Sequence, residues 1–383
     1  MANAVVASSS REDLRSLLRT WAESAEQGVP SLPHARLRRI WEEAASAGCL
    51  VGAESIGVDA RRHSLVVAEE LGRNWLLDLP LWMQSDVVAS AVRRYGVADQ
   101  HVLLSGFACG SAVVAVALSE AGSASSLTGL SSTARAVDGG YLLDAEKRFV
   151  SNAVIADHFL VSAAVGTQQA RTGLFLVSRN APGLQVAATS MGRGLELLGT
   201  GTVSLTGVHV PSGALLGGTA MAAFQLGPVL SVERLFLALM SCSAAWSVVS
   251  DIHSRGQAAR PAGTLLSHSS VEHQVAELVS RLTTVTSLVR VLSSGYATHG
   301  TVPADQAAIG KFEAVKVLTA ALNVLGGLSG AAGLVEGHGG RRSDLESRRR
   351  AAAAQGLAGG APHALHSITI AGLTGRGGRV QIV

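Results

Sequence analysis

Apolar residues recur every three or four positions over residues 13–25 and 33–47, the spacing of one buried helix face, with breaks at Gly28, Pro30 and Gly48. Segments 64–72 and 82–95 continue that pattern, and 102–109 leads out of it. Near Ser111 the period changes. Short apolar runs at 113–118, 133–137, 141–150, 158–164, 173–178, 184–188 and 202–210 predict strands, and Asp138-Gly139-Gly140 is a hairpin signal between two of them. After Gly217 helical spacing returns over 221–253, 270–295 and 303–325, where Gly326-Gly327 is expected to end a helix. Residues 337–340 and 356–360 read as glycine loops on either side of the charged stretch 344–350. The pattern predicts an α+β chain: a helical domain over 1–110, a compact β domain (barrel or sandwich) over 111–216, and a helical bundle over 217–383.

One helical stretch holds a charge pair where charge is costly. From Pro228 to Leu239 the chain reads Pro-Val-Leu-Ser-Val-Glu-Arg-Leu-Phe-Leu-Ala-Leu, with Val229, Leu230, Val232, Leu235, Phe236 and Leu239 at helical spacing around Glu233 and Arg234. A helix starting near Pro228 is expected. Desolvation there raises the pKa of Glu233 toward that of a general base. The other reading is a structural ion pair with arginine.

Composition narrows the function class. Hydrophobic residues make up 48% and the charge is nearly balanced at +3, so no nucleic-acid surface is expected. Arg341-Arg342 and Arg348-Arg349-Arg350 read as a solvated helix face or linker. Cys49, Cys109 and Cys242 are far apart, which fits a reduced compartment. There is no signal-peptide pattern and no membrane span by uninterrupted apolar length, so a soluble cytoplasmic protein is expected. His34 and His63 are isolated, Glu272, His273 and Glu277 read as a solvated stripe, and no metal site is expected.

Several short segments, in their order, carry more information than any one alone. They are Val67-Ala-Glu-Glu-Leu-Gly72, Ala117-Leu-Ser-Glu-Ala-Gly122, Lys147-Arg-Phe-Val-Ser-Asn152, Leu174-Phe-Leu-Val177 with Pro182-Gly183, Val208-His-Val-Pro211 and Ser231-Val-Glu-Arg234. Together they resemble the acyl-CoA dehydrogenase family over nearly the whole chain. The resemblance implies that family's fold, FAD as cofactor, and removal of a proton next to an acyl thioester while the neighbouring carbon gives hydride to the flavin. It places Leu118 and Ser119 at the flavin pyrimidine edge, Ser151 toward the N5/O4 side, and Phe149 near the ring face. Asn323, Gly326 and Gly327 take the place of a turn approaching the pyrophosphate of a partner subunit's FAD.

The same resemblance makes Glu233 the catalytic base, as in the branch that carries it on the helix after the β domain. The C-terminal segment taken for the alternative position, 368–374, has Ala371 and Gly372 and no carboxylate. Three cofactor segments depart from the family: Gly122-Ser-Ala-Ser-Ser126 lacks an aspartate, residues 255–263 do not reproduce the adenine-side motif, and Asn323 stands where the family has glutamine. The stretch between Gly327 and Ile368 reads as an insertion. Implied partners are an acyl-CoA or acyl carrier protein substrate, an electron-transferring flavoprotein or oxygen as acceptor, and a second copy in a homodimer or homotetramer. Both fatty-acid breakdown and a biosynthetic pathway are open. The alternatives are a flavin monooxygenase on the same fold and a diverged member without redox chemistry.

Overall fold

The computed structural model describes residues 12, 16–18, 20, 34–50, 57–122, 130–166, 171–218, 220–257, 264–334 and 344–375. The helix expected over 13–25 lies largely outside the described residues, as do most of 122–126 and 258–263. Helices α1 (His34–Ser46), α2 (Val58–Arg73), α3 (Ala89–Tyr95), α4 (Ala98–His101) and α5 (Leu103–Ala108) come first. Among the described residues seven strands follow: β1 (Val114–Ala117), β2 (Thr133–Val137), β3 (Gly140–Val150), β4 (His158–Val165), β5 (Thr172–Ser178), β6 (Leu184–Ala188) and β7 (Gly201–Pro211). Five more helices come after them among the described residues: α6 (Ala222–Gly256), α7 (Ser269–His299), α8 (Ala304–Ser329), α9 (Leu345–Leu357) and α10 (Pro362–Gly375). The segment expected to run as one helix to Tyr95 enters through a π-helical turn, Met83–Val88.

The strands form one seven-stranded sheet rather than the two of a sandwich. β4 is its hub. One edge pairs with β1 along His158 to Val161 and passes to β2 at Ala164 and Val165, both parallel; β5 covers the other edge antiparallel. β2 and β3 form the hairpin, Val137 opposite Gly140, with Gly139 at φ +76, a value glycine adopts without steric cost. β7 then joins β3 to β6.

Helix α6 is the axis of the molecule. Its 35 residues are apolar nearly all round, because helices pack on most of its sides: α2, α7 and α8 touch it, and so does β5. Phe236 is fully buried, stacked on Trp82 (5.7 Å between centroids) and edge-on to Tyr296 (5.8 Å). A side chain of that size contributes about 1.5–3 kcal/mol on burial. The N-terminal helices and the C-terminal bundle share one hydrophobic core, which also takes in Leu160 and Leu174 of the sheet. Phe224–Gly256 and Ala304–Gly333 are long and apolar enough to cross a membrane by length and composition alone; the first is the core helix, with 67% of its most apolar window buried.

Four expectations change. The α6 helix begins at Ala222, so Pro228 lies inside it rather than at its start. Gly326 and Gly327 do not end a helix, since α8 runs on to Ser329. The stretch 344–357 is neither a solvated linker nor an insertion. It forms α9, capped by the Asp344 side chain, which accepts from the Ser347 N–H. Arg348 is buried, donating to Asp251 at 2.6 Å and lying over the Trp75 ring at 4.7 Å, while Arg350 donates to the carbonyls of Met191 and Arg193. The guanidiniums are consumed by contacts to three parts of the chain that sequence spacing does not reveal.

Candidate active site

The two segments assigned to the flavin meet through a buried ion pair. Lys147 Nζ lies 2.6 Å from Glu120 Oε1 and also donates to Ser162 Oγ (3.0 Å) and to the Leu118 carbonyl (3.3 Å). Ser131 and Ser132 each give Glu120 a backbone N–H and a hydroxyl. Burial opposes charge on Glu120, yet these donors hold its carboxyl down to about 2. The Arg148 N–H donates to the Ser119 carbonyl at 2.9 Å. Leu118 and Ser119 are thereby fixed beside the end of β3, where Phe149 and Ser151 stand.

Phe149 sits on a bulge. Lys147 pairs with Val203 and Val150 with Gly201, so two residues of β3 face one of β7. Phe149 has φ +54 and its ring is 66% exposed. A non-glycine residue in that region costs of order 1–3 kcal/mol, and no core contact offsets it. Asn152, at φ +62, is 1% exposed and its Oδ1 is buried without a hydrogen-bond partner. An outward aromatic ring on a strained bulge beside backbone and serine donors fits a planar heteroaromatic such as a flavin. Ser151 is half-buried in the turn after β3.

Glu233 belongs to a second cluster. It is 7% exposed, on α6, and its carboxyl faces the turn between α9 and α10. Burial pushes its pKa up to about 7, against the charges of Arg234 and Lys311 and a hydrogen bond from the Gly359 N–H. Arg234 gives its Nε to the Gly359 carbonyl (2.8 Å), so its hydrogen bond goes to the turn. Lys311 Nζ donates to the carbonyls of Gly356 (2.7 Å) and Gly360 (2.9 Å). The turn needs its glycines: Gly359 has φ +65 and Gly360 φ +112, and a Cβ on Gly359 would come 2.9 Å from Leu237.

This geometry corrects the C-terminal assignment. The segment that reaches Glu233 is the turn at 358–360, Ala-Gly-Gly, and not 368–374, which lies on α10 with Gly372 against Asp305. No carboxylate stands in either place. Sequence alone does not single out Lys311, and 356–360 reads there only as a glycine loop; nothing in the spacing separates Lys311 from Lys316 on the same helix.

Asn323, Gly326 and Gly327 do not join either cluster within one chain. They lie near the end of α8, with Gly326 roughly 22 Å along the helix from Lys311. A Cβ on Gly326 would strike the Arg349 guanidinium, whereas Asn323 and Gly327 are exposed. Among the described residues no group of three or more His, Cys, Asp or Glu side chains is placed to hold a metal ion.

Comparison with known proteins agrees with this architecture. The crystal structure of an acyl-CoA dehydrogenase from Geobacillus kaustophilus superposes with a TM-score of 0.82 at 20% identity, covering 97% of this chain and 100% of that one. A family-model match over residues 224–371 spans α9, so this stretch is not an insertion. The long-chain specific acyl-CoA dehydrogenase of Mus musculus mitochondria is 25% identical over 256 residues, 64% of this chain and 59% of that protein's length. Benzylmalonyl-CoA dehydrogenase of Aromatoleum aromaticum is 33% identical over 102 residues, 27% of each chain. The family models for the acyl-CoA dehydrogenase middle domain and C-terminal domain match residues 115–208 and 224–371, and the chain belongs to the acyl-CoA dehydrogenase family.

Proposed function

We propose that this protein is a flavin-dependent dehydrogenase that oxidises the α,β carbon–carbon bond of an acyl thioester, presented on CoA or on an acyl carrier protein. One observation carries the reading: Glu233 is a buried carboxylate poised near neutrality, opposite a C-terminal turn that offers no acid of its own. A base with a pKa near the working pH is half ionised there and still basic enough to take a carbon-bound proton. Burial also keeps water from competing for it.

Leu118, Ser119 and Ser151 would hold the polar edge of the flavin, and Phe149 would cover its face. Bound there, FAD supplies the hydride acceptor for the carbon next to the one that Glu233 deprotonates. Asn323 and Gly327, exposed on α8, would serve the FAD of a second copy, in a homodimer or homotetramer. Ile309, Leu357 and Ile370 are exposed on α8, α9 and α10 and supply apolar area for that assembly. The electrons would pass to an electron-transferring flavoprotein or to oxygen.

The test is anaerobic flavin reduction. Bleaching of the flavin bands by an acyl thioester, lost in Glu233→Gln, supports the reading. Bleaching only by a reductase with reduced nicotinamide would replace it with a monooxygenase, and a protein that takes up no FAD would remove redox chemistry altogether.

A further inference from the structure

We propose that Lys311 is a positioning residue for Glu233, holding the 356–360 turn so that the turn's own N–H and the lysine charge both act on the carboxylate. The inference deepens the reading of Glu233 as the base and rests on it. Lys311 is 1% exposed, far from any solvated face of α8, and its ammonium reaches two carbonyls of the turn, Gly356 and Gly360. Between those two lies Gly359, whose N–H points at Glu233 and whose carbonyl is taken by Arg234. The lysine thus grips the turn on both sides of the residue whose backbone lies against the Glu233 carboxyl.

Without Lys311, the Gly356 and Gly360 carbonyls lose their buried donor, and a turn containing two glycines in the positive-φ region has little of its own to keep it closed. The groups that face Glu233 among the described residues are Arg234 from its own helix, Lys311 from α8 and the Gly359 N–H from the turn. Lys311 governs two of the three. The electrostatics are reciprocal: burial brings Lys311 down to about 8, opposed by the charge of Glu233.

The experiment is a titration of the carboxyl itself. The holoprotein is labelled with 13C at glutamate Cδ, and Glu233→Gln identifies the Glu233 resonance by its loss. In Lys311→Met the Glu233 midpoint should rise by about one unit or more, because an opposite charge and a donor to the carboxylate are both gone. Lys311→Arg, which keeps the charge, should bring most of it back. The midpoint of the pH–rate profile for flavin reduction by thioester should follow the resonance. An unmoved midpoint in folded Lys311→Met overturns the proposal. Lys311→Gln serves if Lys311→Met does not fold, with the same rise expected and an unmoved midpoint again overturning it. A resonance that moves while the pH–rate midpoint stays fixed supports the hold of Lys311 and instead overturns Glu233 as the base.

Discussion

Lys147 Nζ and Glu120 Oε1 are 2.6 Å apart with both side chains shut away from solvent, 0% and 3% exposed. The pair joins a residue just past β1 to one near the end of β3, and by doing so sets Leu118 and Ser119 against Phe149 and Ser151. A buried pair of this kind adds little net stability, but removing one partner leaves an uncompensated charge.

Glu120→Gln should therefore lower the unfolding free energy by about 3–5 kcal/mol, read by denaturant titration. Because the folded Glu120 carboxyl is held at about 2, below its unfolded value, its contribution is present above the unfolded pKa and is lost as pH falls toward 2. Wild-type stability should show that acid loss, and the Gln variant should not.

Glu233 has the opposite sign. Its folded pKa is raised to about 7, so the folded state keeps a proton that the unfolded state releases, and stability declines as pH rises from the unfolded pKa toward 7. The decline from this group is on the order of 3 kcal/mol. Glu233→Gln should lack it and be at least as stable as wild type above neutrality. Flavin reduction by substrate should slow ~10²–10⁴-fold in the same variant. A large fall in melting temperature with an unchanged rate would make Glu233 a structural residue.

Phe149→Ala separates ligand binding from folding. The ring is 66% exposed and supports no core, so stability should change by less than about 0.5 kcal/mol. FAD retention should weaken by roughly 1–3 kcal/mol if the ring stacks on the flavin. Equal FAD affinity in equilibrium dialysis would show that this bulge is not the flavin face.

Gly359→Ala should perturb Glu233 both through the turn and directly, because the new methyl would also lie 3.6 Å from the Glu233 carboxyl carbon. The new methyl would sit 2.9 Å from Leu237 at φ +65, a strain of order 1–3 kcal/mol. Moving the turn withdraws the Gly359 N–H, and the pH–rate midpoint should rise. An unchanged profile would mean that the turn does not set the ionisation of Glu233.

Light scattering at micromolar concentration tests the assembly: a dimer or tetramer is expected. A monomer that still binds FAD tightly would remove Asn323 and Gly327 from the cofactor site.

Local order was legible in the sequence where it depends on near neighbours. The 133–137 and 184–188 strands fall where alternation predicts them, and the hairpin follows from Asp138-Gly139-Gly140 because positive φ at Gly139 is a property of that residue alone. Segment order was enough to reach the family, since each motif is a string of adjacent residues. Distant partners were not legible. Arg348-Arg349-Arg350 reads as a solvated run until Trp75, Asp251 and the carbonyls of 191 and 193 are brought to it. The partner of Lys147 lies 27 residues away, and Glu233 takes its surroundings from Lys311 and Gly359 on other elements. Whether a charge is buried, and what compensates it, depends on packing between segments far apart in the chain; only the folded structure decides it.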